Sequence, residues 1–296
     1  MKKELLIVVF MLIAGCSFGQ QFTDLYGDYL GQTPPGDTPM IFAPGIITGF
    51  VHGGMTISPK GDEVYWSVSP SYIYYSKLAN GKLTEPALAD FIKDYQAYQN
   101  EGPVFSPDGD KLYFSSNRPG GMGKTDTWFV EREKNGWSKP INAGKPYNSA
   151  DNDRSPIFTK RGHAFCLRMD GEYRTIPLCY EYSNCFFSGL DSTDYIPEYA
   201  PWWSLFISPE EDYIIFTGDN KEYPSKGADL YIRFKNKRGR WGNPINMGGE
   251  INSKEWDRFP YVSPDGKYLF FTRGGSNAAS LFWVSTGVID KLKKEN

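Results

Sequence analysis

Short stretches of alternating apolar and polar residues recur along the chain, and most of them follow a turn sequence. Leu112-Tyr-Phe-Ser115 and Tyr268-Leu-Phe-Phe-Thr272 each come directly after a Ser-Pro-Asp-Gly segment and one or two further polar residues. An alternation with period two predicts half-buried strands, and Pro and Gly at these positions favour tight turns. The pattern therefore predicts many short antiparallel strands.

The turn segment recurs five times, at intervals of roughly 50 residues. Its Ser or Thr is found at Ser58, Ser106, Thr159, Ser208 and Ser263. A longer segment that begins at Trp137 recurs, without a gap, from Trp241. Each repeat holds about four short strands, which is typical of one blade of a β-propeller.

Three prolines support this architecture, because each lies inside the first strand of its repeat: Pro103, Pro156 and Pro260. Proline cannot donate to a sheet ladder, so it belongs on an edge strand, as in the first strand of a blade that lines a central channel. The sequence predicts an all-β fold, a β-propeller of four-stranded antiparallel blades. Five blades are favoured, and a sixth built from residues 17–50 is the alternative.

The last repeat lacks a fourth strand, and an apolar segment before the first repeat could supply it. We predict that Pro39–Thr48 pairs beside Leu281–Val284 and closes the ring, which would leave no open sheet edge. The resulting division is a signal peptide at 1–15, a linker at 16–38, the propeller at 39–287 and a C-terminal tail at 288–296.

The repeats resemble the WD40-like repeats of TolB-type β-propeller proteins. Phe105-Ser-Pro-Asp-Gly, Leu112-Tyr-Phe-Ser-Ser-Asn-Arg118 and Val262-Ser-Pro-Asp-Gly266 carry the resemblance, which covers roughly residues 50–285. It implies a propeller that serves as a binding or scaffolding module of the bacterial cell envelope. The third repeat departs from the pattern with Thr-Lys-Arg-Gly, and residues 180–199 fit no blade template.

The N-terminus resembles an export signal. Two lysines precede the apolar run Leu5–Ala14, and Ile13-Ala14-Gly15-Cys16 resembles the lipobox of bacterial lipoproteins, in which the Cys is lipidated. Ser17-Phe18-Gly19 would also suit an ordinary secretory cleavage site. We expect a periplasmic or outer-membrane protein whose membrane attachment, if any, is a lipid on Cys16.

Composition narrows the chemistry. A net charge of -3 argues against a nucleic-acid partner, and two histidines with no Cys cluster of zinc spacing predict no metal and no cofactor. Cys166 and Cys179 could pair across neighbouring strands or remain buried thiols.

Propeller geometry predicts a ligand site at one mouth of the channel, because the loops before first strands and after second strands share a face. The candidates are His52, Glu101, Asn117, Arg118, Asp153, Arg154, Trp202, Trp203, Asp257 and Arg258. A structural interpretation is also open. The Asp-Arg pairs could form salt bridges between adjacent blades, Asn142 and Asn246 could cap turns, and Trp137 and Trp241 could pack between blades.

Two functions remain open. The favoured hypothesis is a non-catalytic module that binds an envelope protein or a glycan. The alternative is a propeller glycoside hydrolase using Glu101, Asp153 and Asp257, although Arg154 and Arg258 would lower the pKa of the neighbouring acids. We do not expect a peptidase of the prolyl-oligopeptidase type, because the sequence has no Gly-x-Ser-x-Gly motif and the predicted propeller leaves no residues for a hydrolase domain.

Overall fold

Five blades of antiparallel strands surround a central channel. The computed structural model describes residues 28–69, 72–170, 175–181, 189–190, 204–219, 227–275 and 277–295. Blades 1 to 5 follow the chain, and a parallel bridge between Ala228 and Trp256 joins blades 4 and 5 into one continuous sheet. The all-β propeller predicted from the repeats is confirmed, with five blades among the described residues.

Every blade has the same strand order from the channel outward. The first strands are Val51–Ile57, Asn100–Phe105, Asn152–Asp153 with Ile157–Phe158, Leu205–Ile207 and Trp256–Val262. The second strands are Glu63–Val68, Lys111–Ser116, His163–Met169, Tyr213–Asp219 and Tyr268–Gly274. The third strands are Tyr72–Ala79, Asp126–Glu133, Thr175–Glu181, Ala228–Phe234 and Ala279–Ser285. The fourth strands are Ala87–Leu88, Ile141–Asn142, Gly189–Leu190, Ile245–Asn246 and Met40–Ile41.

Smaller elements complete the chain. Lys82–Leu83 and Gly136–Trp137 extend the third strands of blades 1 and 2 as tight hairpins. A 3-10 helix, Asp90–Tyr95, connects blade 1 to blade 2, and an α-helix, Gly287–Glu295, follows blade 5. Within the described ranges, no helix has the length and apolar character needed to cross a membrane.

The repeated turn has one geometry in all five blades. The amide of its fourth residue donates to the carbonyl of the Ser or Thr, as from Gly109 to Ser106 at 2.9 Å. That fourth residue has a positive φ, which Gly adopts without a steric penalty. Blade 4 is the exception, because Glu211 takes the left-handed conformation at φ 57°.

The N-terminal segment closes the ring. Met40 pairs with Trp283 and Ile41 with Phe282, so the predicted closure is confirmed, although these two residues are the part of Pro39–Thr48 that forms a strand. Phe42 follows with no exposed surface, its ring centroid 5.2 Å from that of Trp283. Burial of an aromatic side chain at this seam gives the closure a hydrophobic driving force.

The long duplicated segment connects blade 2 to blade 3 and blade 4 to blade 5. Asn148 holds the backbone of Thr127 by two hydrogen bonds of 2.8 and 2.9 Å, and Asn252 holds that of Leu230 in the same way. The predicted turn role is confirmed for Asn142, whose Oδ1 accepts from the Gly144 amide at 2.9 Å. The duplication therefore encodes the same clamp twice, in which the connecting segment is held to the third strand of the blade that it leaves.

The tryptophans of the duplicated segments pack between blades, as predicted. Trp137 in blade 2 donates its Nε1–H to the hydroxyl of Tyr65 in blade 1 at 2.8 Å. Trp241 packs against the core cluster that includes Phe165 of blade 3 and Leu205 of blade 4.

The two described cysteines do not pair. Cys166 lies opposite Leu178 and Cys179 opposite Phe165, so their side chains point to opposite faces of the same sheet. Both are buried free thiols. The structure thus decides between the two alternatives that the sequence left open, while Cys185 is outside the described residues.

Candidate functional site

The first strands enclose a central channel with a cavity of about 410 Å³. All five blades contribute to its wall, which is mainly apolar. The apolar residues of this wall include Met55, Ile57, Val104, Phe105, Ile157, Phe158, Leu205, Phe206, Tyr261 and Val262. One end is formed by the repeated turns, with Pro59, Pro107, Lys160, Pro209 and Pro264. The other end, the mouth that the sequence analysis singled out, includes Glu101, Arg154 and Phe259.

An irregularity in the first strands shapes this mouth. The pairing register shifts between Glu101 and Val104 in blade 2 and between Arg258 and Tyr261 in blade 5. The residue at the shift is Gly102 in blade 2, with φ 62°, and Phe259 in blade 5, with φ 55°. Such bulges redirect side chains at strand ends. A bulky residue in the left-handed region is strained, and such strain concentrates at functional sites.

A collar of hydroxyl groups stabilises the bulges across the blade boundaries. The amide of Gly102 donates to the Ser67 hydroxyl of blade 1 at 2.9 Å. The amide of Ser155 donates to Ser115 at 3.0 Å, and that of Phe259 to Ser204 at 2.9 Å. Each amide faces the preceding blade, so these bonds hold neighbouring blades at a fixed distance around the channel.

Glu101 and Arg154 form an ion pair across the boundary between blades 2 and 3. His52 of blade 1 lies beside them, its Nδ1 3.5 Å from Oε2 of Glu101. Burial, followed by the positive charges of Arg258 and Arg154, lowers the pKa of His52 to about 4. The nearby carboxylate does not reverse this direction, because Arg154 already neutralises it. His52 is therefore uncharged at neutral pH.

Asp153 and Asp257 are buried and paired inside their own blades. Nε of Arg168 donates to Asp153 at 2.5 Å, and Nε of Arg273 donates to Asp257 at 2.7 Å. The expectation of salt bridges between adjacent blades is therefore wrong for these two acids. Their partners lie directly opposite on the second strand, a register that the sequence did not reveal.

The second oxygen of each acid is also occupied. Asp153 Oδ2 accepts from the amide and hydroxyl of Ser149, and Asp257 Oδ2 accepts likewise from Ser253. The expected lowering of the pKa is wrong for Asp257, because burial outweighs Arg273 and raises it. Asp257 has no exposed surface, so its role at the rim is structural.

Arg258 has a different environment from the other rim arginines. It is 3 % exposed, and its Nε and Nη2 have no hydrogen-bond partner among the described residues. Its guanidinium carbon lies 4.7 Å from the ring centroid of Trp256 and 5.6 Å from that of Phe259. Burial lowers its pKa to about 10, so it is charged at neutral pH.

Two other candidates have structural contacts away from the cavity. Arg118 is buried over the ring of Tyr95 at 4.2 Å and donates to Asn100 at 2.6 Å. Asn117 accepts from the Gln99 amide at 2.7 Å. Trp202 and Trp203 are outside the described residues. The structure thus brings His52, Glu101 and Arg154 together at the mouth.

Sequence reasoning missed Phe259 and the hydroxyl collar. A signal for Phe259 existed, since it takes the repeat position that is Gly54 and Gly102 in blades 1 and 2. The described residues contain no group of three His, Cys, Asp or Glu side chains that could hold a metal ion.

No protein-family model matches the chain. No curated protein matches its sequence either. Among solved structures, it is similar to a protein assigned as TolB from Agrobacterium tumefaciens, with 13 % identity and a TM-score of 0.51, over 79 % of this chain and 76 % of the other. It is also similar to TolB from Acinetobacter baumannii, with 14 % identity and a TM-score of 0.50, over 79 % of this chain. The match covers 51 % of the Acinetobacter protein, so the chain spans about half of that relative. At these identities the likeness concerns the fold, and the chain has the β-propeller fold of TolB-type proteins.

Proposed function

We propose that the protein is an exported, non-catalytic binding propeller of the bacterial cell envelope, which holds a protein or glycan partner at the mouth of Glu101 and Arg154. The observation that carries the proposal is the channel itself. A cavity of about 410 Å³ with apolar walls and a few polar groups at one end has the size and character of a ligand site.

The state of the carboxylates supports binding over hydrolysis. A glycoside hydrolase needs one carboxyl group that donates a proton and a second that acts as nucleophile or base. Asp153 and Asp257 are buried in ion pairs, and Glu101 is paired with Arg154. The raised pKa of Asp257 does not make it a general acid, because Arg273 and Ser253 already occupy its two oxygens.

A charge-neutral pair of variants tests the binding site. Glu101→Gln combined with Arg154→Gln removes the ion pair at the proposed mouth. Lys160→Gln combined with Glu210→Gln removes the exposed ion pair at the opposite end, whose Nζ–Oε1 distance is 3.0 Å, and is the matched control. Partner recovery from envelope extracts after site-specific cross-linking at position 52 should fall with the first double variant and persist with the second.

Partner recovery that persists with the first double variant and falls with the second would place the site at the other end of the channel.

A parallel activity screen on polysaccharides tests the alternative that the protein is a glycoside hydrolase. Hydrolysis by the wild type that disappears with Glu101→Gln would overturn the non-catalytic proposal and establish the alternative.

The proposal of export rests on the leader sequence and Cys16. Metabolic labelling with a palmitate analogue should label the wild type and leave Cys16→Ala unlabelled. Equal labelling of both proteins, or a mature N-terminus at Gln20, would contradict the lipoprotein and leave a secreted form.

A further inference from the structure

The guanidinium of Arg258 differs from three other buried or half-buried arginines in one respect. Arg118, Arg168 and Arg273 each donate from both Nε and Nη2, the two nitrogens that share one edge of the group. For Arg168 the acceptors are Asp153 Oδ1 at 2.5 Å and the Tyr147 carbonyl at 3.4 Å. The same edge of Arg258 has no partner in the described part of the chain.

The repeat explains why Arg258 lacks a carboxylate. Arg154 is at the equivalent position in blade 3, and its partner Glu101 comes from the preceding blade. The position of Glu101, five residues before the repeat Ser or Thr, is Trp203 in blade 4. The blade before Arg258 therefore offers no acidic side chain at that position. Asp257, its neighbour in sequence, is bound to Arg273.

An orphaned guanidinium edge in a buried position is costly without a compensating acceptor. Two parallel donors fit the two oxygens of a carboxylate, which is the strongest common pairing of this group. The charged groups around Arg258 also indicate what charge the ligand carries. Among the described groups, Glu101 is paired with Arg154, Asp257 is paired with Arg273, and His52 is uncharged. None of these three supplies the counter-charge of Arg258, and a monocarboxylate would supply it.

Phe259 separates this guanidinium from the apolar channel, and Arg258 itself does not line the cavity, so a ligand reaches its edge where the Phe259 ring moves aside. Phe259 lines the cavity, and its ring also lies against the guanidinium of Arg258 and 5.0 Å from the ring of His52. A ligand that reaches Arg258 past Phe259 therefore has apolar walls next to its anionic end. The cavity of about 410 Å³ lies in the range of small-molecule sites.

We propose that the channel accepts a small monocarboxylate with an apolar body. The carboxylate binds the Nε and Nη2 edge of Arg258, and the apolar body lies along the first strands below Phe259. This inference goes beyond the proposed function, since it concerns a small ligand inside the channel and needs no macromolecular partner.

Calorimetric titration of the intact chain with sodium octanoate tests the proposal, and octan-1-ol and octylamine are the matched probes. Octanoate should bind at least tenfold more tightly than either, because only octanoate supplies the acceptor pair. Arg258→Met should reduce octanoate affinity to the level of octanol and leave octanol affinity unchanged. Arg258→Lys keeps the charge without the two-donor edge and should bind octanoate more weakly than the wild type.

Arg238→Met is the control, since it removes the same charge from an exposed residue and should leave octanoate affinity unchanged. The melting temperature without ligand is the second measurement. It should be equal or higher in Arg258→Met, because the variant removes an unpaired buried charge. A large fall would show that the edge has a structural partner and would overturn the proposal, as would equal binding of octanoate and octanol. Partner recovery at the Glu101–Arg154 mouth is measured separately, so the two proposals can fail independently.

Discussion

Tyr261 and Ile57 join the last blade to the first, 204 residues apart in the chain. The Tyr261 hydroxyl accepts from the Ile57 amide at 3.0 Å and donates to the Ile57 carbonyl at 3.3 Å. Both residues are in first strands, so this contact closes the ring on the channel side. The pairing of Met40 with Trp283 closes it on the outer side. Contacts near the channel and at the outer edge thus both hold the last blade and the first blade together.

Tyr261→Phe should destabilise the protein by about 1–3 kcal/mol, because a buried amide and carbonyl lose their partner. Tyr268→Phe is the control, since the Tyr268 hydroxyl makes no hydrogen bond in the described part of the chain, and it should change stability little. The free energy of unfolding from urea titration is the measurement. Equal stability of the two variants would show that the hydroxyl does not contribute to closure.

Phe42→Ala should destabilise the protein by about 3–5 kcal/mol, because a fully buried ring is removed from the seam against Phe270 and Trp283. Met40→Ala, two residues earlier on the same segment, should have a small effect, since Met40 is 51 % exposed. Thermal unfolding followed by circular dichroism compares the two. A similar melting temperature for both variants would contradict an outer closure driven by burial.

Glu211 combines an unfavourable backbone conformation with buried side-chain hydrogen bonds to blade 3. Its Oε1 lies 2.6 Å from Nδ1 of His163 and accepts from the Thr159 hydroxyl at 2.7 Å, and its φ is 57°. Glu211→Ala and Glu211→Gly should both be less stable than the wild type, because they leave the two blade 3 groups without this acceptor. The Gly variant should be more stable than the Ala variant by about 1 kcal/mol, since Gly tolerates the left-handed region.

Chemical denaturation of the two variants side by side gives this difference directly. Equal stabilities would show that the turn abandons the left-handed conformation once the Glu211 hydrogen bonds are lost.

His52 should make stability fall as the pH is lowered from about 6.5 to about 4. Its folded pKa is about 4, below the ordinary value of 6.5, so the unfolded chain binds the proton first in this window. The favourable contribution is complete above pH 6.5 and is lost as the pH falls through the folded pKa. Urea titrations at several pH values should give a shallower acid decline for His52→Asn than for the wild type. An NMR titration that placed the His52 pKa near 6.5 would contradict this prediction.

The sequence by itself determined the architecture. Five turn segments at blade spacing specified the strands, and prolines in the first strands placed those strands at an edge. These features are local or periodic, so a single chain displays them without knowledge of contacts. The apolar segment around Met40 also predicted the closing strand. The last repeat has three of the four strands that a blade needs, so another part of the chain must supply the fourth.

The partners of the charged residues were decided by the tertiary structure. Asp153 precedes Arg154 in the chain, yet it pairs with Arg168 across the sheet, while Arg154 reaches Glu101 in another blade. Strand register and blade packing determine these distances, and neither is encoded within a short stretch of sequence. The same holds for Arg258, whose unpaired edge depends on what the preceding blade places opposite it. The repeats therefore predicted which residues lie at the mouth. The unpaired buried charge of Arg258 became apparent only from the assembled blades.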